Sequence, residues 1–166
     1  LSLLESESTL FARTTRDGTH WSKPIRIASG SFMESPIRLT NGRLLLTGEA
    51  TGPRRRTDKS RMLMLYSDNP NGLGPWKEGR IEPAKAKPIG EEIFRWSEPC
   101  PFVRHDGTIV APFRNTSGYL YASVSKDNGV SWSVPQRTNF ADSRARFCTG
   151  RLPDGQFYII SNPGAG

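Results

Sequence analysis

The 166-residue sequence predicts an all-β fold built from a repeated unit, and three observations carry that expectation. The apolar runs are short, they are closed by Gly, Pro, Asn or Asp, and one turn-plus-strand pattern recurs along the chain. Runs at 43–47, 62–66, 108–113, 119–124 and 156–161 have the length of strands. No stretch of about ten residues keeps a 3.6-residue apolar period, so helix is expected to be minor. Asn41-Gly42, Asp106-Gly107 and Asp154-Gly155 stand between such runs, and two-residue hairpins favour these dipeptides.

The repeat emerges when the three turn glycines are aligned. Gly42, Gly107 and Gly155 are 65 and 48 residues apart, and an apolar strand follows each. The shorter spacing falls in the range of propeller blades, and the longer one implies an inserted loop. That loop is the polar, Arg-rich segment 49–60. A second element recurs further along each unit. Ser125, Asp127, Gly129 and Trp132 form S-x-D-x-G-x-x-W, and Thr15, Asp17, Gly18 and Trp21 repeat it with one residue fewer. Ser67-Asp68-Asn69 followed by Trp76 is a degenerate copy. The spacing has a physical logic. The carboxylate accepts from turn amides, Gly supplies a positive φ, and the indole covers the hairpin. These aspartates are expected to staple the fold, not to catalyse.

Composition excludes several classes. Hydrophobic residues make up 35% and charged residues 23%, the balance of a soluble globular chain, and no apolar run is long enough to span a bilayer as a helix. Two cysteines exclude a disulfide scaffold and a four-cysteine zinc site. The net charge of +7 is scattered apart from Arg54-Arg55-Arg56, with no nucleic-acid motif beside it. Neither a nucleic-acid partner nor a membrane is expected. The chain opens without Met and without the regions of a signal peptide, so both ends are expected to be cuts in a longer protein.

Two good boxes and a degenerate one, in register with hairpin repeats, resemble the sialidase-like (BNR, or Asp-box, repeat) superfamily. The resemblance covers most of the chain. It implies four-stranded antiparallel blades in a ring that usually has six, of which about three blades' worth are present. Residues 1–30 would be the outer half of a blade, 31–83 and 94–141 whole blades, and 142–166 an inner half. The whole chain is then one partial propeller domain. The same resemblance implies a protein acting on the terminal sugar of a glycan, outside the cytoplasm or secreted.

Strand alternation sorts the residues by face. The box turns and the Asx-Gly turns share one face. The starts of the innermost strands and the exits of the second strands share the other, which carries the pocket in sialidase-like enzymes. Glu34, Glu49, Arg54, Asp58, Glu98, Arg114, Asn115 and Arg146 fall there. Sialidases open a blade with Arg-Ile-Pro, and later supply a Glu and a loop Asp. The order Pro36, Asn41-Gly42, Glu49, Asp58 follows that layout. Asp58 thus takes the acid/base-like place, and three nearby arginines would lower its pKa. Glu49 and Glu98 are the further catalytic candidates, since hydrolysis needs two carboxylates across one bond. Trp96 is placed to stack on a sugar.

One departure bears on specificity. Glu34 stands where the family has the arginine that binds the carboxylate of sialic acid. A carboxylate there repels sialic acid and can accept hydroxyl hydrogen bonds, so a strict sialidase is not expected. An exo-glycosidase of other specificity, or a non-catalytic propeller that binds glycan or protein, are the two functions in play. The tyrosine nucleophile of sialidases would lie in later blades. No cofactor or metal is expected. Cys100 and Cys148, in the same repeat column, are expected to be free thiols, and an isolated half ring is expected to self-associate.

Overall fold

The computed structural model describes residues 8–51, 62–81, 98–115, 117–143 and 145–162. Every described element is a strand. The first hairpin pairs β1 (Thr9–Ala12) with β2 (Ile25–Ser29). A first large sheet follows: β3 (Ser31–Phe32) and β4 (Ile37–Arg38) on one edge of β5 (Leu44–Glu49), then β6 (Met62–Ser67) and β7 (Lys77–Glu78). A second has the order β9 (Phe102–Val103), β10 (Ile109–Phe113), β11 (Tyr119–Ser125), β13 (Gln136–Ala141). The last hairpin joins β14 (Cys148–Arg151) to β15 (Phe157–Ile160). The short β8 (Arg80–Ile81) and β12 (Ser131–Trp132) pair in parallel between the two large sheets. This is the architecture of a propeller segment, with antiparallel blades stacked face to face.

Burial follows from that stacking. β5 and β6 read as near-continuous apolar runs because both faces of a blade are covered. One core lies between the two large sheets, from Leu45, Met62 and Met64 on one side to Ile109, Ala111, Phe113 and Trp132 on the other. A smaller core, Cys100, Leu120 and Phe147, joins the second sheet to β14–β15. Hydroxyls pin successive units: the buried Thr47 Oγ1 donates to the Pro99 carbonyl at 2.7 Å, and the half-buried Thr149 Oγ1 to the Cys100 carbonyl at 3.0 Å.

The Asx-Gly turns differ from the two-residue hairpins expected from their dipeptides. In each, the glycine amide donates to the carbonyl three residues earlier, Leu39, Arg104 or Leu152. The amides of those three residues in turn donate to Arg43, Thr108 and Gln156 carbonyls at 2.8 Å. Three residues therefore form the loop, and only its glycine has positive φ: 86°, 80° and 91°. A two-residue type I′ turn needs positive φ at both central residues; the longer loop spares the Asn or Asp that strain. The side chains of Asn41, Asp106 and Asp154 instead accept from the amide two residues on.

The innermost strand of the first blade is broken, and this positions the site. β3 pairs Phe32 with Gly48, while β4 pairs Ile37 with Leu45. Residues 33–36 thus stand opposite only Leu46 and Thr47, a two-residue bulge. Pro36, which has no N–H to give a ladder, sits in it beside Glu34.

Candidate functional site

The two faces of the segment do different work. On the turn face the box of the second blade closes on itself. Asp127 Oδ1 accepts from the Ser125 hydroxyl and the Ser131 amide, both at 2.9 Å, and Oδ2 accepts from the Ser131 hydroxyl. Burial pushes the Asp127 carboxyl up, but the Ser131 and Ser125 bonds outweigh it and leave its pKa below the ordinary value. Trp132 donates its indole N–H to the Gly129 carbonyl and is buried. Asp17 repeats the pattern with the Thr19 and His20 amides and the His20 ring, whose bonds hold its carboxyl well below the usual range. In the degenerate copy Asn69 takes over, accepting from the Asn71 amide, and Trp76 donates to the Gly72 carbonyl. Asp68 turns outward to Arg43, whose hydrogen bond lowers its pKa, and to Lys77. The Asp127 and Asp17 carboxylates are thus consumed by turns, and that of Asp68 by two cations.

The opposite face holds a connected charged cluster. Glu98 is at its centre, just ahead of the innermost strand of the second blade. Its backbone N–H donates to Glu49 Oε1 at 3.0 Å, and its own Oε1 pairs with Arg114 Nη2 at 2.6 Å. The Glu98 and Arg114 side chains are each only 14% exposed. The other oxygen, Oε2, is buried without a hydrogen bond, and the Arg146 Nε lies 3.9 Å away. Arg146 itself is 58% exposed and can reach a bound molecule.

A small cleft opens beside this cluster. Glu34, Glu98 and Arg146 line it, with Ser31, Met33, Thr47, Gly48, Pro99 and Phe147. Three successive inner strands thus contribute a charged side chain each. Glu34 is half-buried and has no hydrogen bond or ion pair among the described residues. Its charge is close enough to Cys100 to add to the effect of burial, which is the main reason that thiol is pushed up. Both cysteines are free; Cys100 is buried and Cys148 half-buried.

Among the sequence candidates, the fold brings Glu34, Glu49, Glu98, Arg114 and Arg146 together. Asn115 is fully buried, and its amide serves the turn after β10: Nδ2 donates to the Tyr119 carbonyl and Oδ1 accepts from the Ser117 amide. Asp58, Arg54 and Trp96 lie outside the described residues. The apolar and small cleft residues Met33, Thr47, Pro99 and Phe147 were missed by sequence reasoning. Their signal is adjacency, since each sits one or two positions from a charged or bulged candidate in the repeat frame. Among the described residues no cluster of His, Cys, Asp and Glu is arranged to hold a metal.

Comparisons with known proteins agree with this architecture. A protein of unknown function from Dyadobacter fermentans superposes with a TM-score of 0.65 at 16% identity, over 90% of this chain and 43% of that one. The leech intramolecular trans-sialidase, in complex with 2,7-anhydro-Neu5Ac, gives 0.64 at 17%, over 93% and 24%. A variant of the NanB sialidase of Streptococcus pneumoniae gives 0.60 at 18%, over 92% and 23%. At such identities the likeness is one of fold, and the chain spans less than half of each of these structures. No curated protein matches it. The BNR repeat-like domain family matches residues 4–166, nearly the full length. With its boxes, its stacked antiparallel blades and that match, the chain belongs to the BNR repeat-like family and has a sialidase-like β-propeller fold.

Proposed function

We propose that the complete protein is an exo-glycosidase that hydrolyses a terminal glycosidic bond at the face carrying Glu34, Glu98 and Arg146, and that its sugar is not sialic acid. The observation that carries this reading is the charge balance there. Among the described residues three carboxylates, Glu34, Glu49 and Glu98, meet two guanidinium groups, Arg114 and Arg146, and Arg114 is already committed to Glu98. An anionic sugar entering such a site meets Glu34, a carboxylate with no counter-ion among the described residues, and in a partly desolvated cleft that repulsion is costly. A neutral sugar instead offers hydroxyls to Glu34 and accepts from Arg146. Glu49 and Glu98 hold the cluster in place, while Asp58 is the acid/base of this reading. An extracytoplasmic location belongs to the same reading.

The test is a panel of aryl glycosides, a sialoside among them, applied to the complete protein. Turnover of a neutral glycoside is expected, with kcat falling about 10²-fold or more in Asp58→Asn. Efficient release of sialic acid by the wild type would overturn the specificity, and full activity in Asp58→Asn would remove the acid/base assignment. One observation favours a second reading, a propeller that binds glycan or protein without cleaving it. Two of the three described carboxylates are spent on structure, Glu49 on the Glu98 amide and Glu98 on Arg114. Saturable glycan binding with no turnover across the panel would select it.

A further inference from the structure

We propose, on the footing that this face binds a sugar, that Glu98 Oε2 and the Arg146 guanidinium form a subsite for a single hydroxyl group. Glu98 is then a specificity-determining residue as well as a brace of the cluster. It is firmly held and yet incompletely bonded. It precedes Pro99, and a residue before proline is restricted to extended backbone. The Pro99 carbonyl accepts from the Thr47 hydroxyl, the Glu98 N–H donates to Glu49, and Oε1 pairs with Arg114 at 2.6 Å. These anchors fix where Oε2 sits. That oxygen is buried and takes no hydrogen bond from the described residues. A buried acceptor left so is the exception in a folded protein and calls for a partner. Arg146 does not supply it directly, since its Nε is 3.9 Å away and a hydrogen bond spans about 2.7–3.2 Å.

The cleft selects its group by size and by polarity. Its free space is about 10 Å³, the room of one water-sized group. A carboxylate oxygen only accepts hydrogen bonds and a guanidinium only donates them. Whatever bridges the two must donate one way and accept the other. An ammonium has no lone pair to offer Arg146, and a second carboxylate has no proton for Glu98. An acetamido group has both but exceeds the space. A hydroxyl meets every demand: its O–H donates to Glu98 Oε2, and its oxygen accepts from Arg146. Pro99 and Phe147, the residues that follow the pair in sequence, give the cleft apolar wall, and the Thr47 hydroxyl is already spent on the Pro99 carbonyl. A sugar lacking this hydroxyl leaves the buried oxygen unbonded, and sites built to bond a hydroxyl reject such analogues far more strongly than apolar pockets do.

The test takes the complete protein and the monodeoxy analogues of the neutral nitrophenyl glycoside that it turns over. One deoxy position should lower kcat/KM by about 10²-fold or more, and the others by much less. Glu98→Gln keeps the side-chain shape. With its amide oxygen held by Arg114, its nitrogen takes the place of Oε2, a donor where an acceptor stood. In this variant the parent and that one analogue should differ by less than about tenfold. Arg146→Ala falls at an exposed position, leaves the Glu98–Arg114 pair in place, and should narrow the same gap. A residue that only braced the cluster would instead lower parent and analogue equally. Where the protein binds the series without cleaving it, dissociation constants from calorimetry make the same comparison. Turnover of the parent with no deoxy position discriminated would overturn the subsite, solvent then completing Oε2, while the glycosidase reading stands. A gap that persists in both variants would overturn it as well. Neither turnover nor binding of any neutral glycoside would remove the sugar-binding role, and the subsite with it.

Discussion

The boxes at Asp127 and Asp17 share their hydrogen bonds but differ in what their tryptophans touch. Both aspartates gather turn amides and a neighbouring side chain, and the glycine after each has φ near +80°. Yet Trp132 is 1% exposed and Trp21 is 56% exposed. The turn is thus a local device, closed within eight residues or fewer. Its indole acts only when a neighbouring blade is there to receive it. Trp132 has such a neighbour: Arg80 donates its amide to the Val130 carbonyl, and Gly79 lies against the indole.

The largest expected effect therefore falls on Trp132. Trp132→Ala should cost about 3–5 kcal/mol, the scale for emptying an aromatic site in a core. Urea denaturation followed by circular dichroism measures it, and a loss under about 1 kcal/mol would mean that this indole does not hold the blades together. Gly79→Ala approaches the same contact from the other blade. A methyl there would meet the Gly129 carbonyl oxygen at 2.3 Å and Trp132 Nε1 at 2.9 Å. The strands must then part, at a cost of about 1–3 kcal/mol, readable as a lower urea midpoint.

What was legible in the sequence divides along the same line as the two boxes. Local devices could be read: the Asx-Gly turns, the box aspartates, and the degenerate copy at Ser67. Their turn type could not, because one dipeptide serves both two-residue and three-residue loops, and the backbone of Asn41 or Asp106 decides between them. Gly79 gave no signal, since its constraint comes from a different blade. The repeat frame placed Glu98, Arg114 and Arg146 on one face. It could not say that Arg114 pairs with Glu98, because that depends on how far two side chains reach across the strand ends. The break at residues 33–36 had only Pro36 to announce it.

A smaller effect, shared by both boxes, concerns acid. Asp127 and Asp17 have folded pKa values below the ordinary 3.8. Their stabilising effect is complete above that value and is lost as pH falls through the lower folded values. Stability measured by urea midpoint should hold from neutral pH to about 5 and decline below about 4. Asp127→Ala should flatten that decline and cost about 1–2 kcal/mol at neutral pH through the lost turn bonds. A decline that is equally steep in this variant would assign it to other carboxylates, Asp106 among them.

The smallest effect sharpens the comparison most, because it falls on the exposed tryptophan. Trp21→Ala should change the unfolding free energy from urea denaturation by no more than about 0.5 kcal/mol, as for a surface position. The hydrogen bonds of its turn come from Thr15 and Asp17 and survive the substitution. An unchanged stability in Trp21→Ala would show that this indole adds nothing to the turn that Thr15 and Asp17 close. A large loss would mean that the Trp21 indole is seated as Trp132 is, and the contrast between the two boxes would disappear.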